Sequence, residues 1–128
     1  LREYREKYEK YNLLDKEKML MGSDIVVRFM EMSKPKRNHI DPVEEDWQEL
    51  YDALLQYKPL LFERIRKGKL SPQEFQICIL AYLGIDNTAI AFLINTTTKN
   101  VSNAKQKINR KLFDDKRAST LFSNLLNI

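Results

Sequence analysis

Residues Leu70 to Phe113 read LSPQEFQICILAYLGIDNTAIAFLINTTTKNVSNAKQKINRKLF, and this stretch decides the fold. Ser71-Pro72-Gln73-Glu74 combines a hydroxyl cap, a proline in the first turn and a glutamate three residues beyond the cap. In that pattern cap and glutamate satisfy each other's backbone N–H groups, so a helix starts there. Phe75, Ile77, Cys78, Ile79, Leu80, Tyr82 and Leu83 make this helix apolar around most of its circumference, which predicts a central position, and Gly84 suits the residue after its end. Asp86 or Asn87 caps the next helix, with Ile90, Ala91, Leu93 and Ile94 facing inward. Asn95-Thr96-Thr97 is a short polar turn, and Thr97 caps a third helix from about residue 98 to 113. The layout is helix-turn-helix.

The third helix carries the functional reading. At 100° per residue, Val101, Ala104, Lys105, Ile108 and Leu112 fall within about 60° of one direction, the core side. Lys99, Asn103, Gln106 and Arg110 fall within about 40° of the opposite direction, flanked by Ser102, Lys107 and Asn109. No acid occurs between Thr98 and Phe113, whereas a solvated helix ordinarily mixes both signs. Asn and Gln pair with adenine edges, and Lys and Arg grip guanine or phosphate. Asn103 and Gln106 are therefore the base-reading candidates against double-stranded DNA, joined by Lys99 and Arg110. Thr97, Lys107 and Lys111 are candidates for holding phosphate.

Outward from this stretch, composition narrows the alternatives. The chain has 128 residues, 43% hydrophobic and 31% charged, with 3 Gly and 4 Pro, the balance of a folded helical protein with room for one modest domain and a helical arm. The formal charge is +4, and residues 71–128 hold 7 Lys/Arg against 4 Asp/Glu, all seven lying between Lys99 and Arg117. Such local excess favours a polyanionic partner. One cysteine, Cys78, and one histidine, His39, exclude an intrachain disulfide and a Cys/His zinc site. With Cys78 in an apolar run, a reducing, cytoplasmic location is expected. No membrane-spanning run and no signal peptide is read in the chain, which opens on Leu1 as a fragment would.

The N-terminal half reads as helices as well. Leu1, Tyr4, Tyr8, Tyr11 and Leu14 form a narrow apolar seam, Gly22-Ser23-Asp24 a break, and Ile25, Val26, Phe29 and Met32 a second stripe. Residues 33–38, with Lys34, Lys36 and Arg37, read as a loop. Asp41-Pro42-Val43-Glu44 predicts a helix capped by Asp41, with Trp47, Leu50, Tyr51, Leu54 and Leu55 as core. Lys58-Pro59 interrupts it, and Leu60 to Arg66 form a successor for which Gly68 suits the C′ position.

The run from Leu70 to Phe113 resembles the DNA-binding domain of LuxR/NarL-type response regulators. The likeness rests on Leu70-Ser71-Pro72-x-Glu74, Gly84, Asn87 with Ile90-Ala91, the Thr-rich turn, Val101, Lys105, Ile108 and Arg110-Lys111-Leu112, about a third of the chain. The resemblance implies that Ser102, Asn103 and Gln106 read or approach bases and that Lys105, Arg110 and Lys111 lie near phosphate. Ser102 and Gln106 stand where that family often has lysine, and Ala104 where it often has histidine. The tail with Leu121, Phe122, Leu125 and Leu126 resembles the family's fourth, dimerising helix. Sigma-factor region four shares this module. The Trp47 helix, the Pro59 break and the Leu-Ser-Pro start resemble C-terminal effector regions of Bacteroidetes regulators, which implies a sensor, often with a membrane segment, upstream.

The expectation is thus an all-α chain. Residues 1–69 form an N-terminal helical arm and helical hairpin that link or dimerise; residues 70–128 form a four-helix, winged-less helix-turn-helix domain. Its expected role is sequence-specific binding of double-stranded DNA by a transcriptional regulator, as a homodimer through the Tyr4/Tyr8/Tyr11 helix or the Leu121/Leu125 helix. The alternative is a module docking an acidic protein such as RNA polymerase or an anti-sigma factor. No His-centred dyad, phosphate loop or converging carboxylates suggest an enzyme, and no cofactor or metal is expected.

Overall fold

The computed structural model describes residues 15–35 and 39–128, and among these every regular element is helical. After a helical segment at 15–21 come α1 (Asp24–Met32), α2 (Glu44–Tyr57), α3 (Pro59–Lys67), α4 (Pro72–Tyr82), α5 (Asn87–Leu93), α6 (Thr98–Phe113) and α7 (Leu121–Leu126). The Leu1/Tyr4/Tyr8/Tyr11/Leu14 seam and the basic residues Lys36 and Arg37 lie outside the described residues.

Local chemistry sets most boundaries. Glu74 N–H donates to Ser71 Oγ (3.1 Å) and Ser71 N–H to Glu74 Oε1 (2.8 Å), which closes the capping box of α4. Asp86 Oδ1 accepts from Ala89 N–H at the start of α5, and Thr97 Oγ1 from Asn100 N–H at the start of α6. Gly84 adopts φ +83° beyond α4, a backbone conformation that costs glycine little. The connection from α5 to α6 turns on Asn95, at φ +56°.

One apolar core runs from Leu20 to Leu125 through both halves of the chain. Helix α4 lies at its centre, against α3, α5, α6 and α7, and its Ile77, Cys78, Ile79 and Leu80 are fully enclosed. Each such aliphatic side chain contributes roughly 1.5–3 kcal/mol on leaving water. In the N-terminal half Phe29 packs edge-on to Trp47 with centroids 4.9 Å apart, and Tyr51 and Phe62 both meet Phe75 of α4 edge-on. Arg64 of α3 donates to the Leu112 carbonyl of α6 (2.8 Å) and lies over the Phe113 ring.

Several expectations need correction. Asp41 does not cap α2: the helix starts at Glu44 with Val43 at the cap, whose N–H is held by Asp46 Oδ2 (2.9 Å). Asp41 instead accepts from Asn95 Nδ2 of the α5–α6 turn (2.9 Å) and pairs with His39 Nε2 (2.7 Å), whose ring lies 4.0 Å from that of Phe92. Leu55 faces solvent rather than the core. Gly68 has φ −76°, so left-handed backbone is not its purpose; a Cβ there would drive into the Leu112 side chain. Leu121 and Leu125 are buried in the chain's own core and offer no free dimer face; Phe122 and Leu126 are the exposed apolar residues of α7.

Candidate nucleic-acid interface

Helix α6 is anchored by Val101, Ile108 and Leu112, all buried, so the side chains about half a turn away must face solvent. Lys99, Asn103, Gln106, Lys107 and Arg110 are exposed, and Ser102 is partly so. Among the described residues, the side chains of Lys99, Ser102, Asn103, Lys107 and Arg110 make no hydrogen bond or ion pair. Some cations elsewhere are committed, Arg28 to Asp46, Lys58 to Glu17, Arg66 to Glu63 and Arg117 to Asp115, whereas Lys16, Lys18, Lys67, Lys69 and Lys116 pair with no acid among the described residues. The outward face of α6 thus carries uncompensated positive charge beside free amide and hydroxyl groups.

The remaining predicted site residues divide differently. Thr97 is exposed, but its hydroxyl oxygen serves as the α6 cap. Lys105 is half-buried on the flank toward Asp86; burial depresses its ammonium, against the pull of that carboxylate. Lys111 is bound to Glu74 Oε1 at 2.7 Å. Burial pushes the Glu74 carboxyl up, but Lys111 and the Ser71 N–H more than offset this and leave it below its usual range. A phosphate at Lys111 would compete with that carboxylate, so Lys111 is a weaker phosphate candidate than Lys107.

Gln106 is also committed in part. Its Nε2 donates to the Lys116 carbonyl (2.9 Å), which takes one of the two N–H donors available to a base reader. Asn109, expected beside the outward face, is fully buried. Its Nδ2 donates to the Arg117 carbonyl (2.6 Å) and Thr120 Oγ1 (2.8 Å), and its Oδ1 accepts from Asn124 Nδ2 (2.9 Å). Sequence spacing put Asn109 on a boundary, and only the fold of the tail decides which side it joins.

Positional reasoning missed the start of α4. Ser71 and Gln73 border a polar groove with Asn100, Asn103, Lys107 and Lys111, so the outward face of α6 continues onto a neighbouring helix. The exposed Asn100 side chain donates to Thr96 Oγ1 (3.1 Å) and helps to order the turn. Its signal was available: Asn100 lies three residues before Asn103 and so on an adjacent part of the surface.

Among the described residues no three His, Cys, Asp or Glu side chains gather as metal ligands, and no helix is long and apolar enough to cross a membrane. Comparisons with protein-family models, with curated proteins and with solved structures find no match to this chain.

Proposed function

We propose that this chain binds double-stranded DNA through α6, as the output domain of a transcriptional regulator of LuxR/NarL type. The observation that carries the reading is the acid-free outward face of α6, on which Lys99, Ser102, Asn103, Lys107 and Arg110 are unpaired among the described residues, which follows a capped four-residue connection from α5 and is held outward by its buried opposite side. Asn103 presents both amide groups for an adenine edge, with Ser102, Lys99 and Arg110 beside it for base contacts. Lys107 supplies charge for the sugar-phosphate backbone, and Lys111 does so on release from Glu74. A homodimer on paired half-sites is part of the proposal, through residues other than the buried Leu121 and Leu125. The chain works in the cytoplasm, where DNA is accessible, and performs no chemistry on it.

The test is a titration with mixed-sequence duplex over a range of salt, followed by selection of preferred sites from a random pool. Lys107→Ala lowers affinity for every sequence and makes the salt dependence less steep, whereas Asn103→Ala changes which sites are selected. No binding to any duplex at low salt defeats the proposal and favours docking to an acidic protein. Unchanged site selection by Asn103→Ala defeats the base-reading assignment.

A further inference from the structure

The loop between α6 and α7, residues 114–120, is fastened far more tightly than a solvent loop requires. Asp114 ends α6 in the left-handed conformation, φ +54°. Asp115 Oδ1 then accepts from the Arg117 backbone N–H (3.0 Å) and Nε (3.2 Å). Its Oδ2 accepts from Thr120 Oγ1 (2.7 Å) and Asn124 Nδ2 (3.1 Å). Asn109 closes the ring by bonding Thr120, Asn124 and the Arg117 carbonyl. Buried polar groups satisfied in this way hold one geometry, because each alternative leaves a desolvated donor or acceptor unpaired.

This fixed geometry brings the Lys116 backbone to the outward face of α6, where its carbonyl receives Gln106 Nε2. The Lys116 side chain is exposed and has no acid partner among the described residues, whereas its neighbour Arg117 is tied to Asp115. The exposed Asp114 opposes it nearby, so the loop's pull on a polyanion is local to Lys116.

We infer that the 114–120 loop is a second arm of the duplex-binding surface, in which Lys116 contacts backbone phosphate and Gln106 acts as a positioning residue that holds it there. The inference rests on the DNA-binding reading above and extends it beyond the recognition helix. It also gives Gln106 a role that agrees with its observed partner. Lys99 and Arg110 meet the groove along the helix, Lys107 meets the backbone beside it, and Lys116 takes the phosphates that flank its C-terminal end.

The experiment compares the full chain with Lys116→Ala, Gln106→Ala and the double variant, by anisotropy of labelled mixed-sequence duplex over a salt series. Both substituted residues are exposed, so unchanged thermal midpoints are expected and confirm intact folds. Lys116→Ala weakens binding several-fold for all sequences alike, and the slope of log K against log salt becomes less steep by about 0.9, one phosphate contact. Gln106→Ala produces a smaller loss, because the Asp115 and Asn109 network still holds the loop, and Lys116→Ala then costs correspondingly less in that background than in wild type. Wild-type affinity and slope in Lys116→Ala overturn the inference while leaving the DNA reading intact. Fully independent losses in the double variant overturn the positioning role, because Gln106 then meets the duplex on its own account. A wild-type chain that binds no duplex removes the reading and the inference together.

Discussion

Replacing Asn109 by alanine removes the residue on which the C-terminal part of the domain closes. The side chain is fully enclosed and makes three hydrogen bonds, of 2.6, 2.8 and 2.9 Å. Thr120 and Asn124 retain Asp115 as a partner after the substitution, so their losses are near the ordinary net value of about 1 kcal/mol each or less. The Arg117 carbonyl loses its side-chain donor, at about 1–3 kcal/mol if water cannot replace it. The expected cost is therefore about 2–4 kcal/mol, a large part of the roughly 5–15 kcal/mol that such a domain possesses. In urea unfolding followed by helical circular dichroism, the midpoint falls by about 1–2 M with an unchanged slope. Asn109→Asp is the sharper control. It keeps the shape but places an oxygen against the Arg117 carbonyl and adds charge beside Asp115, so it must be less stable than Asn109→Ala at neutral pH. A midpoint for Asn109→Ala within error of wild type, or an aspartate variant no worse than the alanine one, refutes the role assigned to this network.

Gly68→Ala forces a methyl group into Leu112 and costs about 1–3 kcal/mol, and trimming the opposing side chain in Gly68→Ala/Leu112→Ala makes the glycine substitution nearly neutral relative to Leu112→Ala alone; additive losses would contradict the packing explanation. Arg117 and Thr120 hold the Asp115 carboxyl well below its usual range; burial pushes the Glu74 carboxyl up, but Lys111 and Ser71 outweigh it and leave Glu74 lowered. Both groups are deprotonated more readily in the folded state, so their stabilisation is complete above about pH 5 and is lost as pH falls below about 4 toward the folded values. Urea midpoints measured from pH 6 to 2.5 should fall less steeply in Asp115→Asn and Glu74→Gln than in wild type, and parallel curves contradict the assignment. Burial pushes the Cys78 thiol up to about 12, and the side chain is fully enclosed, so a disulfide thiol reagent at pH 8 should label it only as fast as the protein unfolds. Immediate labelling of the native chain refutes that placement.

Where sequence reasoning succeeded, the deciding interactions were local. The Ser71/Glu74 box, the Asp86 and Thr97 caps and the Gly84 terminus each involve residues within a few positions of one another, and the apolar circumference of α4 states its own burial. The outward face of α6 was legible for the same reason, since a buried stripe of Val101, Ile108 and Leu112 fixes the opposite side. Long-range partners account for the misreadings. Asp41 has every local property of a cap, but Asn95, far along the chain, claims its carboxylate. Asn109 is drawn inward by Thr120 and Asn124, and Gln106 is engaged by a carbonyl in the loop beyond its helix. Gly68 does end α3, but the left-handed position falls on Lys69, and glycine is needed at 68 for the close passage of Leu112. Periodicity assigns a residue to a face, but it does not show which polar side chains have partners waiting there.

The most direct measurement is the change in backbone and side-chain amide resonances when a mixed-sequence duplex is added to the full chain at low salt. Shifts are expected to concentrate on Lys99, Ser102, Asn103, Lys107 and Arg110, with the Asn103 side-chain amide among the largest and the buried Asn109 amide little changed. Shifts confined to other surfaces, or none while the protein remains folded, would contradict it.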